Sequence, residues 1–213
     1  MSRAISNKNV LAAQFETAEF TGAYLASLGR PELRGAWIIW GDSGSGKTTF
    51  TLMLCKYLAG FRRVAYNSLE QGLSLSLQKA WERVNMAEAG SNIILLNKEE
   101  LPELRARLSK RKSPEIIVID SLQYLDSFTW KHFKTLKKDF PDKLFIFISQ
   151  VDKAGNLADK IAVRIRFDAD IKIKVEGFKA FVTTRYENPD QGEGGADFII
   201  WEKGAADYWA QQI

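Results

Sequence analysis

Residues 41–48 read Gly-Asp-Ser-Gly-Ser-Gly-Lys-Thr, and no other stretch limits the folding of this chain so tightly. The pattern G-x-x-x-x-G-K-S/T requires a strand that stops abruptly, a loop whose backbone amides turn inward, and a helix that starts at the lysine. Both flanks comply: AWIIW precedes the loop as a β-rich run, and TTFTLMLCKYLAG follows it as a helical one. With Gly at roughly 7% of average sequence, a chance match somewhere in the chain is below about 1%. The alternative, a glycine turn without a ligand, explains neither the lysine nor the flanks.

A loop of this kind binds dense negative charge without bulky side chains. Glycines at 41, 44 and 46 let the backbone wrap closely, and the helix N-terminus adds free N–H donors and its dipole. The expectation is that Gly41, Asp42, Ser43, Gly44, Ser45, Gly46, Lys47, Thr48 and Thr49 cradle the phosphates of a nucleoside triphosphate. Lys47 would reach the β- and γ-phosphates and the Thr48 hydroxyl would meet Mg²⁺. A second acid is then needed on the metal side. Glu115-Ile-Ile-Val-Ile-Asp120 supplies it, a buried strand ending in a carboxylate where α/β folds place ligands.

Around these motifs, short β-branched runs alternate with helical stretches, the mark of a mostly parallel α/β sheet with helices on both faces. Strands are expected near 36–40, 64–68, 93–96, 116–120 and 144–149, and helices near 46–59, 73–86, 99–111 and 129–139. After Gln150 the texture shifts to period-two alternation in IKIKVEG and FKAFVTTRY, then FIIWEK. These predict an antiparallel extension at the C-terminal edge. Asn188–Asp197, glycine-rich and acidic, reads as a mobile loop between two of its strands. Residues 9–28 read as one or two amphipathic helices interrupted near Gly22. The expected division is an N-terminal helical segment, 1–34, packed on a core of 35–213.

At 213 residues, 46% hydrophobic and 26% charged, the chain is sized for one buried core without staples. Cys55 is the single cysteine, which excludes an internal disulfide and a cysteine-rich zinc site and suits a reducing compartment. No apolar run is long enough to span a bilayer, and MSRAISNKNV lacks the apolar centre of a signal peptide, so the expectation is cytoplasmic with no membrane partner. The net charge of +4 hides an uneven distribution. Residues 98–112 carry six bases against three acids, 131–143 five against two, and 187–207 six acids against Lys203 alone. The plain reading of such runs is solvated helix faces and an acidic loop.

Four blocks, GDSGSGKTT, VAYNSLEQG, IIVIDSLQYL and FIFISQVDKAGN with DADIKIKVEG, resemble the RecA-like P-loop ATPases, within them the RadA/Sms repair proteins and the DnaB-type helicases. The resemblance covers roughly 35–203 and implies a three-layer α/β core. It implies that Glu70 orients or deprotonates the water attacking the γ-phosphate; the alternative is a glutamate favoured at a helix start. Gln150 resembles the family's γ-phosphate sensor, though a strand-terminal glutamine also caps turns. TTRYENP resembles the RadA KNRFG block, which makes Arg185 a finger for a neighbouring subunit's nucleotide, against the alternative of a surface arginine. Thr183 stands where those families carry a lysine, with Lys179 and Lys203 nearby. The resemblance implies single-stranded DNA as a partner, through 122–128 and 151–161. Lys153, Lys160, Arg164 and Arg166 would track phosphates and Tyr124, Phe128 and Trp130 stack on bases or fill the core. The zinc finger, protease-like domain and collar of those families have no counterpart here, so a homo-oligomer or a partner protein is expected. A nucleotide-dependent assembly switch that does not touch DNA is the second expectation.

Overall fold

The computed structural model describes residues 4–152 and 154–212. Its strands are β1 (Gly35–Gly41), β2 (Val64–Ser68), β3 (Ile93–Asn97), β4 (Ile116–Asp120), β5 (Leu144–Gln150), β6 (Ile171–Glu176), β7 (Lys179–Thr184) and β8 (Phe198–Ile199). They form one sheet in the order β3-β2-β4-β5-β1-β6-β7-β8. Strands β1 to β6 run parallel, while β7 pairs antiparallel with β6 and β8 antiparallel with β7, as the change of texture after Gln150 predicts. The helices are α1 (Asn7–Leu11), α2 (Gly22–Leu28), α3 (Lys47–Leu58), α4 (Leu75–Arg83), α5 (Leu101–Leu108), α6 (Trp130–Asp139), α7 (Lys160–Asp168) and α8 (Glu202–Ala210).

Alternation along each strand builds the layers. Trp37 and Ile39 of β1 enter the cluster made with α2, α3 and α4, whereas Ala36 and Ile38 enter the one made with α5, α6 and α7. Each fully buried Ile or Leu removed from water is worth about 1.5–3 kcal/mol, so both faces hold the sheet. Cys55 is a buried core residue. Among the described residues no helix is long and apolar enough to cross a membrane.

Four expectations need correction. Helix over 9–28 is broken more widely than Gly22 alone: residues 12–21 are non-helical, held where Ala18 N donates to Pro31 O (2.8 Å), and Phe20 goes into the core. FIIWEK is not a long strand. Only Phe198–Ile199 pair, and α8 starts at Glu202, where an acid suits the helix dipole and Gly204 lies against the Trp201 ring. The stretch after Val151 is not loop to its end, because α7 begins at Lys160 and buries Ala162 and Ile165, three residues apart.

The glycine-rich loop is the fourth. Instead of standing free, it returns to α2, where Gly194 N, Gly195 N and Ala196 N donate to the carbonyls of Leu25, Ser27 and Ala26. Leu25 O also accepts from Gly29 N, while Ala26 and Ser27 carry orphan acceptors at the helix C-terminus, so the loop caps the helix. Glu193 anchors it, buried and paired with Arg30 Nε at 2.9 Å. In Glu193→Ala, hydrogen exchange at those three amides should accelerate at least about tenfold, or about 1.4 kcal/mol of local opening, with Ile38 unaffected. Unchanged protection would mean that Glu193 does not hold the loop.

Candidate active site

The register of the sheet brings the chemistry to one edge. Gly41 pairs with Gln150 across β1 and β5, and Ser68 pairs with Asp120 across β2 and β4. The segment leaving β2 is then tied down, since Leu69 N and Glu70 N donate to the Asp120 carbonyl at 2.5 and 3.3 Å. Lys47, Thr48, Glu70, Asp120 and Gln150 therefore line one cleft of about 300 Å³.

Glu70 sits at its centre. Its Oε2 accepts from Ser121 Oγ (3.0 Å) and from Gln150 Nε2 (3.2 Å), so the three residues form one relay across β4 and β5. Asp120 is buried, with Ser121 Oγ 3.2 Å from Oδ1 and the Tyr66 hydroxyl donating to Oδ2. Burial pushes the Asp120 carboxyl up from its ordinary value. The Tyr66 and Ser121 hydroxyls oppose this, Glu70 adds to it, and Lys47 draws it back. Burial likewise pushes the Lys47 ammonium down, against the pull of Asp120, Asp42 and Glu70.

The loop has the expected conformation. Gly44 and Gly46 hold φ of 76° and 101°, which side-chain-bearing residues avoid. Lys47 Nζ donates to Asp42 O (2.7 Å), and Ser45 Oγ is buried without a partner. Positive φ at Gly44 and Gly46, Lys47 and Thr48 at the helix start and the buried Asp120 carboxylate in the same cleft fit a Mg²⁺-bound polyphosphate. Among the described residues no cluster of three His, Cys, Asp or Glu side chains could hold a metal by itself. Mg²⁺ is normally held by one or two protein oxygens plus phosphates, so this donor set suits it.

Other anticipated residues are not brought to the cleft. Thr184 pairs with Ile171, so Arg185 follows β7 at the sheet edge where β1 begins, about 20 Å of strand from the loop. Its guanidinium, 58% exposed, pairs with Asp170 Oδ1 at 2.8 Å. Thr183 lies opposite Lys172 near that edge, and Lys179 places its Nζ 5.4 Å from the Trp209 ring centre. Lys160 and Arg164 share an exposed face of α7, but Arg166 turns to the Trp40 ring; Lys153 lies outside the described residues. Phe128 is buried against Phe147 and Trp130 stacks on Phe133, which makes them packing residues, while Tyr124 is exposed.

Sequence reasoning missed Ser121, Tyr66, Arg83 and Phe178. Arg83 ends α4 and lines the cleft, with no local signal to mark it. Phe178 had one. Gly177-Phe178 is a two-residue turn with both φ positive, 51° and 58°, conformations that a phenylalanine rarely takes. The strain places Phe178 N on Ser45 O (3.1 Å) and its ring against Gly46, where an added Cβ would be 3.3 Å from Cδ1. Beyond Arg83 and Thr49 opens a mainly apolar cavity of about 890 Å³, lined by Met53, Tyr57, Ile200 and Trp201 among others.

No protein-family model matches the chain, and no curated protein matches it in sequence. Solved structures match in fold. The flagellar accessory protein FlaH from Methanocaldococcus jannaschii aligns at TM-score 0.54 and 16% identity, over 78% of this chain and 84% of its own. The ATPase domain of a helicase aligns at 0.59 and 21%, over 82% and 84%. The RadB recombinase aligns at 0.50 and 19%, over 83% and 92%. These are RecA-like P-loop proteins, and the chain has the RecA-like P-loop fold.

An acid whose native pKa is raised holds its proton more tightly than the unfolded chain does, so ionising it costs stability as pH climbs above the ordinary carboxylate value. Asp120→Asn keeps an acceptor for Tyr66 and removes that cost. The ligand-free protein should gain about 1 kcal/mol, or about 2–4 °C in Tm, at neutral pH and nothing at pH well below 4. A loss of stability at pH 7 would show that the carboxylate is not strained by burial.

Proposed function

We propose that this chain is a cytoplasmic Mg²⁺-dependent ATPase of RecA type that acts on DNA in recombination, repair or replication, as a homo-oligomer or with a partner protein. The observation that carries the ATPase reading is the Ser121–Glu70–Gln150 relay beside Lys47 and Asp120. Phosphoryl transfer to water needs little covalent help; it needs the water in line and the growing charge stabilised. Lys47, released from Asp42 O, serves the β- and γ-oxygens, and Thr48 and Asp120 would hold Mg²⁺, which would supply charge neutralisation at the phosphates. Glu70 orients and deprotonates the attacking water. Gln150 Nε2 donates to Glu70 and its carbonyl accepts from Ala158 N (3.3 Å), so a change at the γ-phosphate is passed to the segment that Ala158 closes. The apolar cavity beyond Thr49 and Arg83 receives the base.

Arg185 belongs to this reading only across a subunit boundary, where its exposure lets it exchange Asp170 for a neighbour's phosphate. A second reading, a nucleotide-dependent assembly switch without DNA, is favoured by that Asp170 pair and by the single turn Leu122–Tyr124, with Phe128 buried behind it.

Lys47→Ala should abolish ATP turnover, and Glu70→Gln should lower it about 10²- to 10⁴-fold while ATP still binds. Full turnover in Glu70→Gln would remove Glu70 as the base. Stimulation by single-stranded DNA supports the first reading; ATP-driven growth in mass by light scattering, without stimulation, supports the second. Because burial lowers the Lys47 pKa, the alkaline fall of kcat/KM should begin below the ordinary lysine range of about 10.4 and move in Lys47→Arg.

A further inference from the structure

Helices α6 and α7 lie side by side on the outer face of the sheet, with Lys137 paired to Asp168 and the Arg164 guanidinium 5.7 Å from the Trp130 ring centre. On α6, Lys131, Lys134 and Lys138 fall at i, i+3 and i+7 and are exposed, as are Lys160 and Arg164 at i and i+4 on α7. Among the described residues none of these cations has a carboxylate within 4.0 Å, whereas Arg105 and Arg107 on the next helix, α5, are both paired. Nearby acids do not compensate: Asp139 goes to Arg105, Asp168 to Lys137, Asp159 turns one oxygen inward, and Asp126 precedes the α6 N-terminus. Like charges at these spacings cost each helix about 0.2–0.5 kcal/mol per pair. Arg164 gains a ring contact with Trp130 and Lys138 the dipole at the end of α6, but Lys131, Lys134 and Lys160 have no ion pair that folding would select.

Aromatic rings accompany the charge. Phe167 is 68% exposed at the end of α7, with Arg166 over its ring, and Tyr124 is 47% exposed ahead of α6. We infer that the outer face of α6 and α7 binds single-stranded nucleic acid, with phosphates on Lys131, Lys134, Lys138, Lys160 and Arg164 and bases stacked on Phe167 and Tyr124. A duplex would offer those rings no base faces. A bilayer meets a flat surface, whereas these cations stand on two ridges about 8–10 Å apart. The inference deepens the DNA-directed reading and rests on it for the class of partner, but it moves contact from the segment after Val151 to the helices themselves.

The test is fluorescence anisotropy of a labelled oligo(dT) of about 20 nucleotides with the full chain, at several salt concentrations, beside ATP turnover. K131E/K134E/K138E should weaken binding at least about tenfold and reduce the slope of log affinity against log salt by about 2, at roughly 0.7 per lost phosphate contact. Phe167→Ala should weaken it with the slope unchanged. Basal turnover and Tm should stay as in wild type, and K110E/R111E/K112E, in the exposed basic loop after α5, should bind normally. Should the α6 triple fail to fold, the same sites changed to Gln serve instead. Unaltered binding by the α6 triple, with DNA still stimulating turnover, overturns this surface and leaves the DNA reading standing. Absence of oligonucleotide binding in wild type overturns both. Equal losses in the two triples, or tighter binding to duplex or to phosphatidylserine vesicles, also overturns the inference.

Discussion

β1 and β5 end together at Gly41 and Gln150, β2 and β4 end together at Ser68 and Asp120 two residues earlier, and the candidate site exists because of that register. β1 delivers the glycine loop, β2 delivers Glu70, β4 delivers Asp120 and Ser121, and β5 delivers Gln150. A slip of one residue between β4 and β5 would turn every buried side chain on one strand to the other face, so the apolar layers enforce the register as they form. Positions taken from strand ends, rather than from long loops, are held firmly enough for water to be placed in line.

The same arrangement works against stability at its centre. Asp120 and Lys47 are both shifted toward their neutral forms by burial, offset by hydroxyls from Tyr66 and Ser121 at Asp120, by Asp42 and Glu70 at Lys47, and by mutual attraction. A Mg²⁺-bound triphosphate would relieve both costs at once. The C-terminal extension supports the loop from the other side: the strained Gly177-Phe178 turn reaches Ser45, and an added Cβ at Gly177 would collide with the Tyr208 ring of α8. The capped end of α2 ties that extension to the N-terminal segment, so elements distant in sequence close around one helix.

What the sequence disclosed follows the range of the forces involved. The strands were legible because nearly continuous apolar runs such as IIVID and LFIFIS have one stable use, a sheet covered on both faces. The loop, Lys47 and Asp120 could be singled out from the residues themselves, a glycine loop and a carboxylate at strand ends, whereas Glu70 and Gln150 were singled out only through the family resemblance; all of them line one cleft. Missed features depend on partners far along the chain. Ser121 matters through Glu70, Tyr66 through Asp120, and the acidic loop through Arg30 and the carbonyls of α2, none of which leaves a local pattern. α7 was readable from Ala162 and Ile165, but the charges between them drew attention away from the helical period. Arg185 lies at the opposite end of the strands from the glycine loop, so its motif match bears on a neighbouring subunit's site and not on this cleft.

The central claim is that this edge holds a Mg²⁺-bound nucleoside triphosphate. The most direct measurement is thermal unfolding with ATP and Mg²⁺, with ATP and a chelator, and in Lys47→Ala. A ligand at 100 times its Kd that binds only the native state stabilises by about 2.7 kcal/mol. The account predicts a clear rise in Tm with ATP and Mg²⁺ that the chelator sharply reduces and Lys47→Ala removes. An unchanged Tm, or the same rise in all three conditions, would contradict it.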